Sequence, residues 1–312
     1  MTDPAAPTVQ TGPAPTRIGP TSFRWGERTY VMGIVNVTPD SFSGDGLLSA
    51  GGTRDAGRRD GAPSDPVEAA VQLGCRMSDE GADLLDVGGE STRPGHAPVA
   101  TEEELRRVVP VVAALRAALP HMPLSIDTTK PAVAAAALDA GADLLNDIWG
   151  VGSDDSLARL AADRRAPLVI MHNRAEPRYS ALLPEVIADL GAALERAVRL
   201  GVRWDDLIVD PGFGFGKTPE QNLAIVRDLA ALRTLGRPIL LGTSRKSSLG
   251  RVLDLPVEER LEATLATTAL GIAGGADVVR VHDVRANVRA ARISDAIVRA
   301  NWRSEPTQGG SS

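Results

Sequence analysis

A chain of 312 residues, 43% hydrophobic and with a formal net charge of −6, has material for a large globular core. Its acidic balance argues against a broad phosphate-backbone footprint, and its 3% aromatic content argues against stacking platforms for single-stranded nucleic acid. Cys75 is the sole cysteine, which excludes an intramolecular disulfide and a cysteine-built zinc site, and no apolar run approaches the roughly 18 residues of a membrane span.

Residues 1–20 are rich in Pro, Thr and Ala and read as a disordered tail; they lack an apolar signal core, so a cytoplasmic location is expected. Phe23-Arg24-Trp25 is a candidate short strand ahead of the first long one. Apolar runs then predict strands at 30–36, 84–88, 123–127, 144–148, 167–172, 207–211, 238–243 and 276–282. Helical spacing predicts helices near 66–80, 101–119, 129–140, 155–163, 184–200, 219–235, 257–273 and 284–300. In the fifth of these, Val186, Ile187, Leu190, Leu194, Ala197 and Val198 form one apolar stripe. Gly81, Gly141, Gly201 and Gly236 stand at helix stop positions, and Pro110 should kink or split the second helix. Residues 46–64 are Gly-rich, charged and aperiodic, an insertion on a surface loop. A second tail is expected over 302–312.

Eight strand–helix units fit either a closed parallel barrel or a doubly wound open sheet. Unusual polar residues follow seven of the eight strands, whereas an open sheet gathers its ligands at one switch point. The fold class is therefore α/β, a (β/α)8 TIM barrel in a single domain over 21–301. Phe23-Arg24-Trp25 would close its floor.

The strand ends carry the chemistry. Gly242-Thr243-Ser244-Arg245-Lys246-Ser247 follows strand seven, and Arg280 and His282 end strand eight on one face, at the usual phosphate position of such barrels. The bland alternative for TSRKS is a solvated basic turn. Asp127, Asn146 and Asp210 each close an apolar strand, where a charge is costly unless paired. Their convergence implies a polar, nitrogen-rich ligand. Capping of the next helix is a rival role for Asp127 and the preferred one for Asp147 and Asp283. Asn36 ends strand one and is an oxygen donor suited, with a nearby Asp and a diphosphate, to Mg²⁺. Glu90, in the Gly88–Gly95 turn, reads as a structural acid paired with a basic neighbour. Met171 suits apolar pocket lining; His172 is either a satisfied near-core histidine or a site residue. His96 and His121 read as surface residues, and the GxGxG of 212–216 lacks a following GxxG and is no dinucleotide fingerprint.

Taken in order, MGIVNVTPDSF, DVGGESTRPG, SIDTTKP, LLNDIWG, DPGFGFGK, GTSRKS and RVHDV resemble the dihydropteroate synthases, over roughly Phe23 to Arg299. The resemblance implies a TIM-barrel transferase of folate biosynthesis. Such an enzyme joins 6-hydroxymethyl-7,8-dihydropterin diphosphate to 4-aminobenzoate, needs Mg²⁺, is a sulfonamide target and forms a homodimer. It implies a dissociative substitution in which diphosphate leaves before the arylamine attacks. By matching motif, Asp127, Asn146, Asp210 and Lys246 would bond the pterin edge, Arg280 would stack on the ring, and Met171 would form part of the wall. Asn36, Arg280 and His282 would hold the diphosphate, with Asn36 and Asp40 as metal ligands. Phe42, Thr92, Arg93, Pro94, Phe215 and Ser247 would frame the aminobenzoate. Asn36, Asp127, Lys246 and Arg280 are the candidate catalytic residues. The first loop departs from the family pattern, reading SFSGDG where SFSDGG is usual, and MHNRAEP replaces MHMRGTP. Two rivals share the barrel: a methyltetrahydrofolate methyltransferase with a corrinoid partner, and a pterin binder without catalysis.

Overall fold

The computed structural model describes residues 12–37, 65–90, 99–150, 154–300 and 302. Each of the eight apolar runs forms a strand: β3 (Tyr30–Asn36), β4 (Leu84–Gly88), β5 (Leu124–Asp127), β6 (Leu144–Asp147), β7 (Leu168–Met171), β8 (Leu207–Asp210), β9 (Leu240–Leu241) and β10 (Val278–Val281). They join in one parallel sheet, β8-β7-β6-β5-β4-β3-β10-β9, and a parallel bridge between Val209 and Ile239 brings its ends together. The barrel expectation holds.

Helices cover the outside: α1 (Pro66–Asp79), α2 (Thr101–Ala118), α3 (Pro131–Asp139), α4 (Ser156–Arg164), α5 (Leu182–Arg199), α6 (Pro219–Arg227), α7 (Ser247–Leu253), α8 (Leu261–Ala273) and α9 (Val284–Val298). Gly81, Gly141, Gly201 and Gly236 all turn with positive φ beyond a helix end, as their stop positions require. Four sequence expectations need correction. Pro110 does not split α2, which runs through it; the proline lies on the exposed side, where water can satisfy the carbonyl it leaves unpaired. The segment 219–235 changes at Asp228 from α6 to a 3-10 helix over Leu229–Leu235. The helix expected from 257 starts at Leu261, after a short 3-10 turn over Val257–Glu259. The tail placed at 1–20 does not cover 16–20, because Thr16–Ile18 (β1) pairs antiparallel with Thr21–Phe23 (β2); residues 1–11 lie outside the described residues.

That hairpin is the barrel floor. Ile18, Phe23 and Trp25 are buried with Tyr30, Met32, Leu84, Leu144, Val169, Ile208, Leu240 and Val278 in a cluster separate from the main core. Burying Phe23 completely is worth about 1.5–3 kcal/mol. The cluster also fixes which face of each strand looks inward. Side chains alternate, so the inward set continues two residues at a time from the floor toward the strand ends. From Met32 it reaches Asn36, from Leu84 Asp86, from Leu144 Asn146, from Val169 Met171, from Ile208 Asp210 and from Val278 Arg280. Register places Ser125 beside Asp86 and Asp127 beside both Gly88 and Asn146. An apolar floor thus gives way to a polar layer at one rim, the position at which such barrels place their active sites.

Candidate active site

Arg280 organises the polar layer. Its Nε donates to Asp86 Oδ2 at 2.5 Å and its terminal nitrogen to Asp127 Oδ2 at 2.7 Å; Asn146 donates to the same Asp86 oxygen at 3.0 Å. Burial alone would lower the Arg280 pKa, but Asp86 and Asp127 raise it above its ordinary value, so the guanidinium stays charged. Asp127 moves the other way. Burial pushes its carboxyl up, Arg280 opposes this, and the Asp86 and Glu104 carboxylates reinforce it. Asp127 Oδ1 and Asp86 Oδ1 are buried and accept no hydrogen bond among the described residues.

Lys246 and Asp210 form the facing pair. Burial lowers the lysine to about 8 while Asp210 works against that fall. Burial likewise raises Asp210, countered first by Lys246. Asp210 Oδ1 accepts from the Gly212 backbone at 2.7 Å. Lys246 donates to the Phe213 carbonyl and lies 4.3 Å from the centre of the Phe215 ring. Met171 is buried and pairs in register with Asp210, on the lumen face as expected for a wall residue. A cavity of about 310 Å³ opens beside this layer, lined among others by Glu90, Glu104, Asp127, Thr128, Trp149 and Phe215; of the polar layer itself only Asp127 lines it.

The loops after β9 and β10 are fastened to each other. Ser244 Oγ lies 2.9 Å from His282 Nδ1 and accepts from the His282 backbone at 3.1 Å. Arg245, in the left-handed region at φ 57, makes a two-pronged pair with Asp283 at 3.0 and 2.5 Å. Arg245 is therefore a clip between loops and not an anion ligand, and Asp283 receives that clip while making no side-chain cap at the start of α9. Asp147 caps no helix either: it accepts from the Trp149 backbone at 3.0 Å, and burial pushes it up to about 7. Ser247 is exposed at the start of α7.

Glu90 is structural, as its position implied: Lys130 bridges it to the buried Glu104. His121 is exposed, and His172 is buried with both ring nitrogens bonded. Asn36 ends β3 half-buried at the rim; a β-carbon on Gly88 would stand 3.8 Å from its Oδ1 and 3.6 Å from the Asp127 β-carbon. Asn36 and Asp127 therefore border the same glycine. Asp40, Phe42, Thr92, Arg93, Pro94, His96 and the 46–64 insertion lie outside the described residues.

Asp86 is the site residue that sequence reading passed over. Its signal was available: an acid inside a fully buried strand, at the same inward parity as Gly88, needs a cationic partner.

Residues 32–282 match the family described as pterin binding enzyme. The dihydropteroate synthase of Clostridium beijerinckii is 48% identical over 284 residues, covering 91% of this chain and 99% of that protein. The Clostridium difficile dihydropteroate synthase, solved in the presence of pteroic acid, is 46% identical with a TM-score of 0.81, covering 89% and 99% of the two chains. The Xanthomonas albilineans dihydropteroate synthase, solved with 4-aminobenzoic acid, is 42% identical with a TM-score of 0.79, covering 87% and 94%.

Proposed function

The chain belongs to the pterin binding enzymes and, among them, to the dihydropteroate synthases, and we propose that its rim condenses 6-hydroxymethyl-7,8-dihydropterin diphosphate with 4-aminobenzoate. The observation that carries this reading is the Asp127 carboxylate at the cavity wall, one oxygen on the Arg280 guanidinium and the other buried with no hydrogen-bond partner among the described residues. A buried acceptor without a donor is costly, and a ring N–H beside an exocyclic amine supplies the donors that such a carboxylate lacks.

Asp127, Asn146 and Asp210 take the pterin edge, Lys246 donates to it, and Met171 and Phe215 supply apolar wall. Arg280 lies against the ring and, with His282 and Asn36, holds the diphosphate. The C–O bond to the diphosphate breaks first, and the leaving group departs with the electron pair. The arylamine lone pair then forms the C–N bond, and its proton leaves with solvent or pyrophosphate. No strong base is needed. The acidic wall stabilises the cationic intermediate while Arg280 offsets leaving-group charge. A Mg²⁺ ion suits the rim, because it binds through few protein oxygens and the substrate's own phosphates; Asn36 Oδ1, with Asp40, would hold it. When bound, it would neutralise charge on the departing diphosphate. Phe42, Thr92, Arg93, Pro94, Phe215 and Ser247 are assigned to the aminobenzoate, the position at which a sulfonamide would compete.

Two wider assignments complete the proposal. Leu270, Ile293 and Ile297 are exposed on α8 and α9, which pack side by side, and this apolar face supports a homodimer. A cytoplasmic location is consistent with the finding that no helix among the described residues is long and apolar enough to cross a membrane.

Pyrophosphate release is the test. Turnover should require both the pterin diphosphate and 4-aminobenzoate and should fall when Mg²⁺ is chelated. Release without the arylamine dependence, or none at all, would remove the assignment.

A further inference from the structure

Behind the Phe215 wall the buried His172 joins the half-buried Lys217 and Arg174 and the exposed Asp189 in a polar group that the reaction does not use. Lys217 Nζ is 3.0 Å from His172 Nδ1 and donates to the Gly212 and Phe215 carbonyls, each at 3.1 Å. The other ring nitrogen, His172 Nε2, is 3.0 Å from Asp189 Oδ2, a carboxylate that Arg174 also engages at 2.8 Å. A carboxylate only accepts, so Nε2 carries the ring hydrogen and Nδ1 is bare. Three acceptors therefore face Lys217: Nδ1 and two carbonyls. An ammonium has three donors and matches them one for one, whereas a neutral amine has two.

The surrounding backbone leaves little slack. A β-carbon on Gly212, at φ 70, would stand 1.8 Å from the His172 carbonyl oxygen, and one on Gly216 would stand 2.3 Å from that of Arg174. The loops after β7 and β8 thus pack backbone against backbone, with the Tyr179 hydroxyl donating to Gly216 O at 2.8 Å. On the pocket side, the same turn presents the Phe213 carbonyl and the Phe215 ring to Lys246.

We infer that Lys217, oriented by the Asp189–His172 pair, is a positioning residue that holds Phe213 and Phe215 where they fix the Lys246 ammonium at the pterin site. The ligand's identity rests on the proposed function; the pin itself does not. The charged groups facing Lys217 are Asp210 on β8, Lys246 after β9, Arg174 after β7 and Asp189 on α5. Burial lowers Lys217 to about 7; Lys246 and Arg174 add to the fall, and Asp210 and Asp189 oppose it. His172 is kept neutral, lowered to about 4 chiefly by burial. The pin is therefore complete on the acid side of neutrality and loses its third donor as pH rises.

The full chain and its Lys217→Met variant can be compared by pteroic acid calorimetry and by ¹⁵N spectra of the four histidines. The variant should bind pteroic acid about tenfold more weakly. The KM for pterin diphosphate should rise with it, while kcat changes less. The His172 Nδ1 resonance should move from that of a hydrogen-bonded acceptor to that of a bare nitrogen. In the unaltered chain that resonance should follow pH near neutrality. Unchanged affinity with only a lower Tm would overturn the inference, as would a His172 ring protonated at Nδ1. Should Lys217→Met fail to fold, Asp189→Ala at the outer end of the relay gives the same reading. It should release Nε2 and weaken pteroic acid binding, and an unaltered spectrum and affinity would refute the relay. If the unaltered chain ignores pteroic acid while its His172 spectrum shows the pin, the ligand assignment fails and the pin stands.

Discussion

Arg280→Met should lower kcat/KM by about 10²–10³-fold, because it removes a fixed cation from the place where leaving-group charge develops. It should also destabilise the fold. Asp86 is wholly buried and Asp127 nearly so, and both lose their cation at once. Breaking a buried pair in this way costs about 3–5 kcal/mol, visible as an earlier denaturant midpoint. The two effects can be separated by adding Asp86→Asn, which removes one of the stranded charges. The double variant should regain part of the lost stability and none of the lost turnover. Activity returning together with stability would mean that Arg280 serves the fold alone.

Asp127→Asn should behave in the opposite way, losing binding without losing stability. The carboxylate has one oxygen on Arg280 and one with no described partner, so its charged form is held at a cost until a ligand arrives. Its pKa is raised from the ordinary 3.8, meaning that the folded chain holds this proton more tightly than the unfolded chain does. Stability from this group is therefore greatest below the unfolded value and declines as pH rises through the raised one. Asn removes that decline, so melting above neutral pH should be unchanged or later. Pterin binding should weaken by about tenfold to a hundredfold, the worth of a hydrogen bond to a charged group of roughly 1.5–3 kcal/mol. In the unaltered chain, affinity should fall as the solution is acidified and Asp127 takes up its proton. A flat pH dependence in calorimetry, or an unchanged dissociation constant in Asp127→Asn, would reject the contact.

Strand periodicity made much of this site legible. Once the inward parity of a strand is known, Asn36, Asp127, Asn146, Met171, Asp210 and Arg280 follow by counting in twos. Apolar runs ending in an acid or amide mark the rim. Local spacing could not supply the partners. Arg280 meets Asp86 across 194 positions and Asp127 across 153, so nothing in the neighbourhood of either acid announces its cation. For the same reason the loop at the phosphate position does not show which of its cations faces a ligand: Arg245 stands beside Lys246 in sequence, yet its backbone is left-handed and its side chain pairs with Asp283. The glycines of the turn at 212–216 have their reason in tertiary contact with the backbone of 172–174, which local spacing could not supply. The hairpin at 16–23 was hidden by its tail-like composition, with only Phe23 and Trp25 hinting at the floor. The short α7 follows a turn whose polar residues gave no helical stripe.

The premise beneath all of these expectations is that the rim residues of seven strands enclose one bicyclic heterocycle. Diffraction from crystals of the chain grown with pteroic acid measures it most directly. The ring edge should lie within hydrogen-bonding distance of Asp127, Asn146 and Asp210, with Lys246 and Arg280 on its margins. A pteroic acid molecule seated elsewhere, with Asp127 and Asp210 facing only solvent, would contradict it.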